Sequence, residues 1–290
     1  LKSGPAKLPR RLVAVGDRVY VTLGYEEPIS ILDAATGKTL QVLDGSQGSE
    51  GLLVSQDVLF ANVIEDLQTA VFKPEHPYCW TEAARARKIG QWKQGEGKQF
   101  IKAFNIKTGD LLWEKKTPVA PLSLAADHEC VYFCNGLKVV CLMRQNGSHR
   151  WESEPVPQSV LFGSDRAPTL VVYGDTVLYS ANASHIMALD AHSGQTLWST
   201  KHRRSGHCSP GDVLVVNDLV WSGGDKKSSF VGKDLRTGEV KTQFDPPEMT
   251  WFHPRCHISK ATDRYLLPSR TGIEFADVRA QTVEMHHWAR

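Results

Sequence analysis

"ALDAHSGQTLWSTK", residues 188–201, sets an Ala, an Asp, a Gly and a Trp at spacings that no helix needs. The apolar run up to Asp190 reads as a strand, and the chain reads as a strand again before Trp198. Between them, Asp190 can fold its carboxylate back onto backbone N–H groups two residues on, an Asx-type turn. Gly194 supplies the positive φ that a tight reversal demands. Trp198 then offers a wide flat ring to whatever packs beside the second strand.

The phrase is not unique. It recurs as "ILDAATGKTLQVL" from Ile31, "AFNIKTGDLLWEK" from Ala103 and "CLMRQNGSHRWES" from Cys141. Further copies are "GKDLRTGEVKTQF" from Gly232 and "FADVRAQTVEMHH" from Phe275, the last without its Gly. The turn glycines Gly37, Gly109, Gly147, Gly194 and Gly238 lie 72, 38, 47 and 44 residues apart, a period near forty with one long insertion. Ahead of each copy stands a second phrase, such as "VGDRVYVTLG" from Val15, "SQDVLFANV" from Ser55 or "YGDTVLYSAN" from Tyr173. The repeating unit is therefore strand, polar turn, strand, loop, strand with A-x-D, T-G turn, strand with Trp.

Four short strands per forty residues are the size of a propeller blade; ankyrin and tetratricopeptide units are shorter and helical. The expected fold is all-β, a β-propeller of four-stranded antiparallel blades at roughly 11–48, 49–118, 119–156, 167–205, 208–248 and 256–290. The residues expected to build its corners are Asp33, Gly37, Gly109, Trp113, Gly147, Trp151, Asp190, Gly194, Trp198, Asp234 and Gly238. The whole of 1–290 is read as one propeller domain or fragment. Residues 64–99 interrupt its second blade, and "WTEAARARKIGQW" within them reads as a short helix from Thr81 to Gly90. That insertion is either a lid over the ring or a solvated loop.

The GH…WD marks of WD40 blades are missing. The phrase instead resembles the pyrroloquinoline-quinone-type (PQQ-like) repeat, with its signature A-x-D-x-x-T-G-x-x-x-W. Residues 188–198 match it throughout, with Ser193 for Thr; residues 103–113 match with Asn105 for Asp. Trp is absent from the copies at 33–43 and 234–244, and Gln281 replaces the Gly of the last. Many proteins with these repeats have eight blades, and the chain is similar to an internal segment of longer bacterial repeat proteins. A start at Leu1 and an end at "EMHHWAR" read as those of an excised piece, so the ring is expected to be six blades or part of a larger one.

Composition narrows the partners. With 34 basic and 32 acidic residues the chain lacks the basic field that nucleic acid or an acidic membrane rewards. No stretch approaches the roughly 20 apolar residues of a membrane span. Six cysteines are too few for a disulfide scaffold. One pairing suggests itself: a two-residue Asn135-Gly136 turn would set Cys130 opposite Cys141, as a disulfide or as two buried thiols.

Reactive side chains concentrate in "SGHCSPGD" and "WFHPRCHISK": His207, Cys208, Asp212, His253, Arg255, Cys256, His257 and Lys260. Aligned on the repeats, both segments lead into first strands of successive blades, so both are expected at one mouth of the channel. Three readings stay open. His207, His253, Cys256 and His257 could hold zinc or copper, although their spacing is no recognised framework. Arg255 and Lys260 could favour an anionic ligand in a polar pocket. The histidines could simply pack loops, and by the repeat alignment His185 and His192 are expected in loops as well.

Within the resembled family, some members are quinone- and Ca²⁺-dependent dehydrogenases, with adjacent cysteines over the cofactor and Glu, Asn and Asp metal ligands. No Cys-Cys pair exists here and no such trio maps onto the chain. Others, the outer-membrane assembly propellers, need no quinone. The expected function is thus a non-catalytic scaffold that engages a protein or polymer, periplasmic or secreted. The alternatives are a quinoprotein dehydrogenase, or a metal- or His-assisted hydrolase or lyase at the axial mouth.

Overall fold

The computed structural model describes residues 12–24, 27–65, 98–120, 122–157, 168–181, 185–201, 213–223, 229–246, 259–268 and 272–287. Their strands form six antiparallel four-stranded sheets, each a simple meander. The chain divides into two compact units, the first holding sheets 1–3 and the second sheets 4–6.

In the first unit, sheet 1 is Leu12–Val15, Arg18–Thr22, Ile29–Asp33 and Thr39–Leu43. Sheet 2 is Ser49–Ser55, Val58–Glu65, Lys98–Asn105 and Leu111–Lys116. Sheet 3 is Ala125–Ala126, Cys130–Cys134, Val139–Met143 and His149–Glu152. In the second unit, sheet 4 is Thr169–Tyr173, Thr176–Ala181, His185–Asp190 and Thr196–Lys201. Sheet 5 is Leu214–Val216, Leu219–Gly223, Phe230–Asp234 and Val240–Phe244. Sheet 6 is Lys260–Ala261, Tyr265–Leu267, Gly272–Asp277 and Thr282–His287.

All six copies of the phrase span the third and fourth strands of a sheet and close in the same way. The N–H of Gly194 donates to the carbonyl of Asp190 at 2.8 Å, and Gly37, Gly109, Gly147, Gly238 and Gln281 repeat that bond. In sheets 1–5 a bulge follows, one extra residue in the fourth strand. A bulge re-aims the side chains beyond it. Here it turns residue 41, 113, 151, 198 or 242 onto the face of the third strand's residue opposite it. That opposite residue is Ala103 for Trp113, Cys141 for Trp151 and Ala188 for Trp198. The Ala of the phrase is thus a small residue that makes room for the indole across from it.

The indole lands on the next sheet. Trp113 donates its Nε1–H to the carbonyl of Arg144 at 2.8 Å, and Trp198 to that of Leu235 at 3.0 Å. Each acceptor lies three residues before the turn glycine of the following sheet. A Cβ on Gly147 would sit 2.6 Å from the Trp113 ring, and one on Gly238 2.6 Å from the Trp198 ring. Where Trp is missing, the contact persists in other chemistry. Gln41 donates to the Thr108 carbonyl at 2.7 Å and lies over Gly109. At the junction of sheets 5 and 6 the sizes are reversed: Thr242 takes the wedge position, and Gln281 takes the turn position at φ 57° and donates to Thr242 Oγ1 at 2.7 Å.

Within each unit, apolar cores lie between successive sheets. Tyr20, Ile29, Ile31 and Leu43 of sheet 1 meet Leu52, Leu59, Ala61 and Phe104 of sheet 2. Val58, Phe60, Ala103 and Trp113 meet Val131, Phe133 and Leu142 of sheet 3. In the second unit, Leu178, Ile186, Ala188 and Trp198 meet Val220, and Trp221, Phe230 and Phe244 meet Leu266 and Ala276.

Three expectations need correction. Cys130 faces Met143, and Cys141 faces Tyr132. The connecting turn is four residues, not two: Asn135 Oδ1 accepts from the N–H groups of Leu137 and Lys138, which moves the register by two. Cys130, Cys134 and Cys141 are buried thiols in no disulfide. Second, Ile64, Glu65, Lys98 and Gln99 are not part of an insertion, because they extend the strand pair of sheet 2. Residues 66–97, with the expected helix, lie outside the described residues. Third, His185 opens the third strand of sheet 4 opposite Lys201 and is not in a loop.

Trp113→Ala or Trp198→Ala is expected to cost about 3–5 kcal/mol in chemical denaturation. Gly238→Ala should exceed the roughly 1 kcal/mol or so of left-handed strain alone, because its Cβ would overlap an indole. Thr242→Trp should be tolerated only together with Gln281→Gly; an additive pair would refute this account of the junction.

Candidate functional site

In five of the six sheets an Asp or Asn braces the corner; sheet 3 has Met143 in that place. Asp190 Oδ1 accepts from the N–H groups of His192 and Ser193 at 3.0 and 2.9 Å and from the Ser193 hydroxyl at 2.9 Å. Asp33 does the same with Thr36, and Asp234 with Arg236 and Thr237. Asn105 accepts from Lys107 and Thr108, and Asp277 from Arg279 and Ala280.

These bonds favour the charged acid. The Thr36 hydroxyl and N–H hold Asp33 below the usual carboxylate range, and the backbone of Thr237 and Arg236 does so for Asp234. For Asp190, burial pushes the other way and is outweighed by Ser193 and His192. The Ala280 N–H and Arg264, whose Nε lies 2.7 Å from Oδ2, hold Asp277 down. Such carboxylates are fixed turn braces and poor proton carriers at neutral pH.

Arginines tie corners to neighbouring sheets. Arg144, which the sequence reading passed over, is nearly buried and spans sheets 2 and 3. It donates to the carbonyl and hydroxyl of Ser55, to Asp57 Oδ1 at 3.1 Å and to the Asp127 carbonyl at 3.3 Å, and lies over the Phe60 ring. Arg18 reaches the Ile106 carbonyl at 3.2 Å, and Arg236 that of Asp175 at 3.3 Å. Lys233 was also missed. It is buried, donates to Thr200 Oγ1 at 3.1 Å, and burial lowers its amine below the ordinary lysine range. Its place in "GKDLRTG" signals only a turn, so nothing local could have revealed it.

In sheet 3, Arg150 donates to Glu129 at 2.9 Å and to Cys130 Sγ at 3.1 Å. Burial and the bond to Cys130 push the Cys141 thiol up, and burial and Asp127 push Tyr132 up. These are protonated, packed groups.

Of the eight candidates in the axial cluster, Lys260 is described: it is exposed, in the first strand of sheet 6, opposite Leu267. His207, Cys208, Asp212, His253, Arg255, Cys256 and His257 lie outside the described residues. Among the described residues no group of three or more His, Cys, Asp or Glu could hold a metal ion. Nor do the described residues fit a quinone with Ca²⁺. Their carboxylates at the corners are taken up by backbone N–H groups, and their cysteines lie inside sheet 3. No chemical step is derived through either group.

A family model described as outer membrane protein assembly factor BamB, the PQQ_2 model, matches residues 93–243, just over half of the chain. The chain belongs to this PQQ-repeat family. Solved structures share the fold of this BamB-type chain. BamB from Moraxella catarrhalis is 16% identical with a TM-score of 0.56, over 93% of this chain and 72% of that one. The computationally designed Ika8 protein is 15% identical at 0.59, over 95% and 69%. KlHsv2 with loop 6CD replaced by a Gly-Ser linker is 9% identical at 0.57, over 96% and 83%. No curated protein matches the chain. No helix among the described residues is long and apolar enough to cross a membrane.

The corner acids set a pH dependence. Their folded pKa values lie below the unfolded ones, near 3.9, so their stabilisation is present above that value and lost as pH falls through the folded ones. Melting temperature should hold from pH 8 to about 5 and drop below about 4. Asp190→Asn with Asp234→Asn should flatten that drop; an unchanged acid limb would refute the role.

Proposed function

We propose that this BamB-type chain is a non-catalytic binding scaffold, whose axial loops ahead of sheets 5 and 6 engage a protein partner. The reading rests on the family match, whose description names an assembly factor. It is supported by how the described ionisable groups are used. Asp33, Asp190, Asp234 and Asp277 brace turns, and Arg18, Arg144 and Arg236 join sheets, so the sheets within each unit are tied into a frame. A rigid frame that carries variable loops is the usual way a repeat fold presents a binding surface. The outer-membrane role in the family description favours a periplasmic or secreted location for this chain.

These segments carry His207 and Asp212 in one and His253, Arg255 and His257 in the next, a composition suited to a protein surface with exposed carboxylates. Arg255→Ala combined with His253→Ala should weaken capture of a cross-linked partner about tenfold, with melting unchanged. Equal capture by the variant and the parent would end this reading. In a parallel assay, protein mixed with PQQ and Ca²⁺ and then desalted should carry no quinone absorbance. A retained stoichiometric band would turn the reading to a quinoprotein.

A further inference from the structure

Sheet 3 gathers sulfur. In its second strand Cys130, Tyr132 and Cys134 share one face, as alternate residues of a strand do. In its third strand Met143 is paired with Cys130, and Cys141 with Tyr132. Residues paired directly across strands point to the same side, so Cys130, Cys141 and Met143 share that face. The Cys141 and Cys130 thiols hydrogen-bond each other. Arg150, the extra residue of the bulge in the fourth strand, donates to Cys130 Sγ at 3.1 Å and to Glu129 at 2.9 Å. All of these contacts lie within the one sheet.

The Asn135–Lys138 turn sets Cys130 and Cys141 on a diagonal. Diagonal residues have Cα atoms about 7–8 Å apart, whereas a disulfide wants less than about 7 Å. A direct S–S bond therefore asks the backbone to move. A metal ion held at about 2.3 Å from each sulfur spans roughly 4 Å between them, close to the reach of a sulfur hydrogen bond. The neighbouring oxygens are committed elsewhere. Asp127 Oδ1 accepts from the N–H groups of Glu129 and Cys130, its Oδ2 accepts from the Tyr132 hydroxyl, and Glu129 is held by Arg150. Zinc, which takes four ligands, is poorly served by such a set. Two thiolates and a thioether suit a soft monovalent ion that is content with two or three donors. Cys134 is set apart: its Sγ accepts from the Gly136 N–H at the other end of the strand.

We propose that Cys130 and Cys141, with Met143 as a third donor, form a cuprous-ion site in sheet 3 whose charge Arg150 balances. Binding exchanges two S–H bonds for two Cu–S bonds. Both protons leave to solvent, copper stays cuprous, and nothing is oxidised. The bis-thiolate complex carries one net negative charge, and the guanidinium already placed against Cys130 offsets it. The site uses none of the axial-loop residues, and the inference stands independently of the scaffold reading.

The test is an anaerobic titration of the reduced chain with Cu(I) against a chromophoric chelator such as ferrozine. It is done in a Cys79→Ser, Cys208→Ser, Cys256→Ser background, which leaves only the thiols of sheet 3. One equivalent of copper should be retained, with thiolate-to-copper absorption in the ultraviolet, and Zn²⁺ should not displace it. Cys130→Ser and Cys141→Ser should each abolish retention, and Cys134→Ser should leave it unchanged. Met143→Leu should weaken it, and Arg150→Gln should lower the affinity about tenfold. No retention, or equal retention after Cys130→Ser and Cys141→Ser, would overturn the proposal. A measurement on the parent chain decides the matter even if a substituted chain fails to fold. In mild urea, Cu(I) should slow alkylation of Cys130 and Cys141 relative to Cys134, read peptide by peptide by mass spectrometry; unchanged rates would overturn it. If oxidised glutathione closes a Cys130–Cys141 disulfide as fast with copper as without, the proposal also fails and the thiols are a redox pair.

Discussion

The contact on which the rest of this structure depends is the side chain of a fourth strand pressed against the corner of the next sheet. A four-stranded meander has two faces and cannot bury both alone, so it is stable only with neighbours. The wedge makes that stacking specific. Trp113 fills the space over Gly147 and satisfies the Arg144 carbonyl; Trp198 does both for Gly238 and Leu235. Apolar area gives the attraction, and the single N–H to a defined carbonyl sets the register.

The polar groups follow from the same requirement. A corner that receives an indole has to hold a fixed shape: in sheet 5 the Asp234 brace supplies it, and in sheet 3, where Met143 stands in that place, the bonds of Arg144 do. Arg144 shows how a charge becomes structural. Its guanidinium fills the first turn of sheet 2 while its own carbonyl receives Trp113, so one residue serves both sides of a junction. The exchange at Thr242 and Gln281 shows that the junction conserves volume and a hydrogen bond, and that it tolerates a change of chemistry. Gln281 replaces a glycine because its wedge partner is small.

Much of this was legible in the chain itself. Strand alternation, Asx turns and left-handed glycines are local, and they placed the corners of all six sheets. The paired cysteines were misread because the Asn135–Lys138 turn closes on its own side-chain bonds, and two extra loop residues displace every pair behind them. The strand ends at Glu65 and Lys98 were missed because Glu65, Lys98 and Gln99 are all polar and give no apolar alternation. Arg144 and Lys233 gave no signal, since each is defined by atoms far away in sequence. Of the axial cluster, the structure describes Lys260 alone.

By itself, the sequence determined the repeat, its length, the four-strand unit and the turn chemistry, because each depends on residues within about a dozen positions of one another. Only the tertiary structure decided what the Ala and Trp of the phrase are for. The bulge that turns the ring across the strand and the corner that receives it belong to different repeats. That contact is a property of two sheets packed together, and a one-dimensional reading contains only one of them at a time.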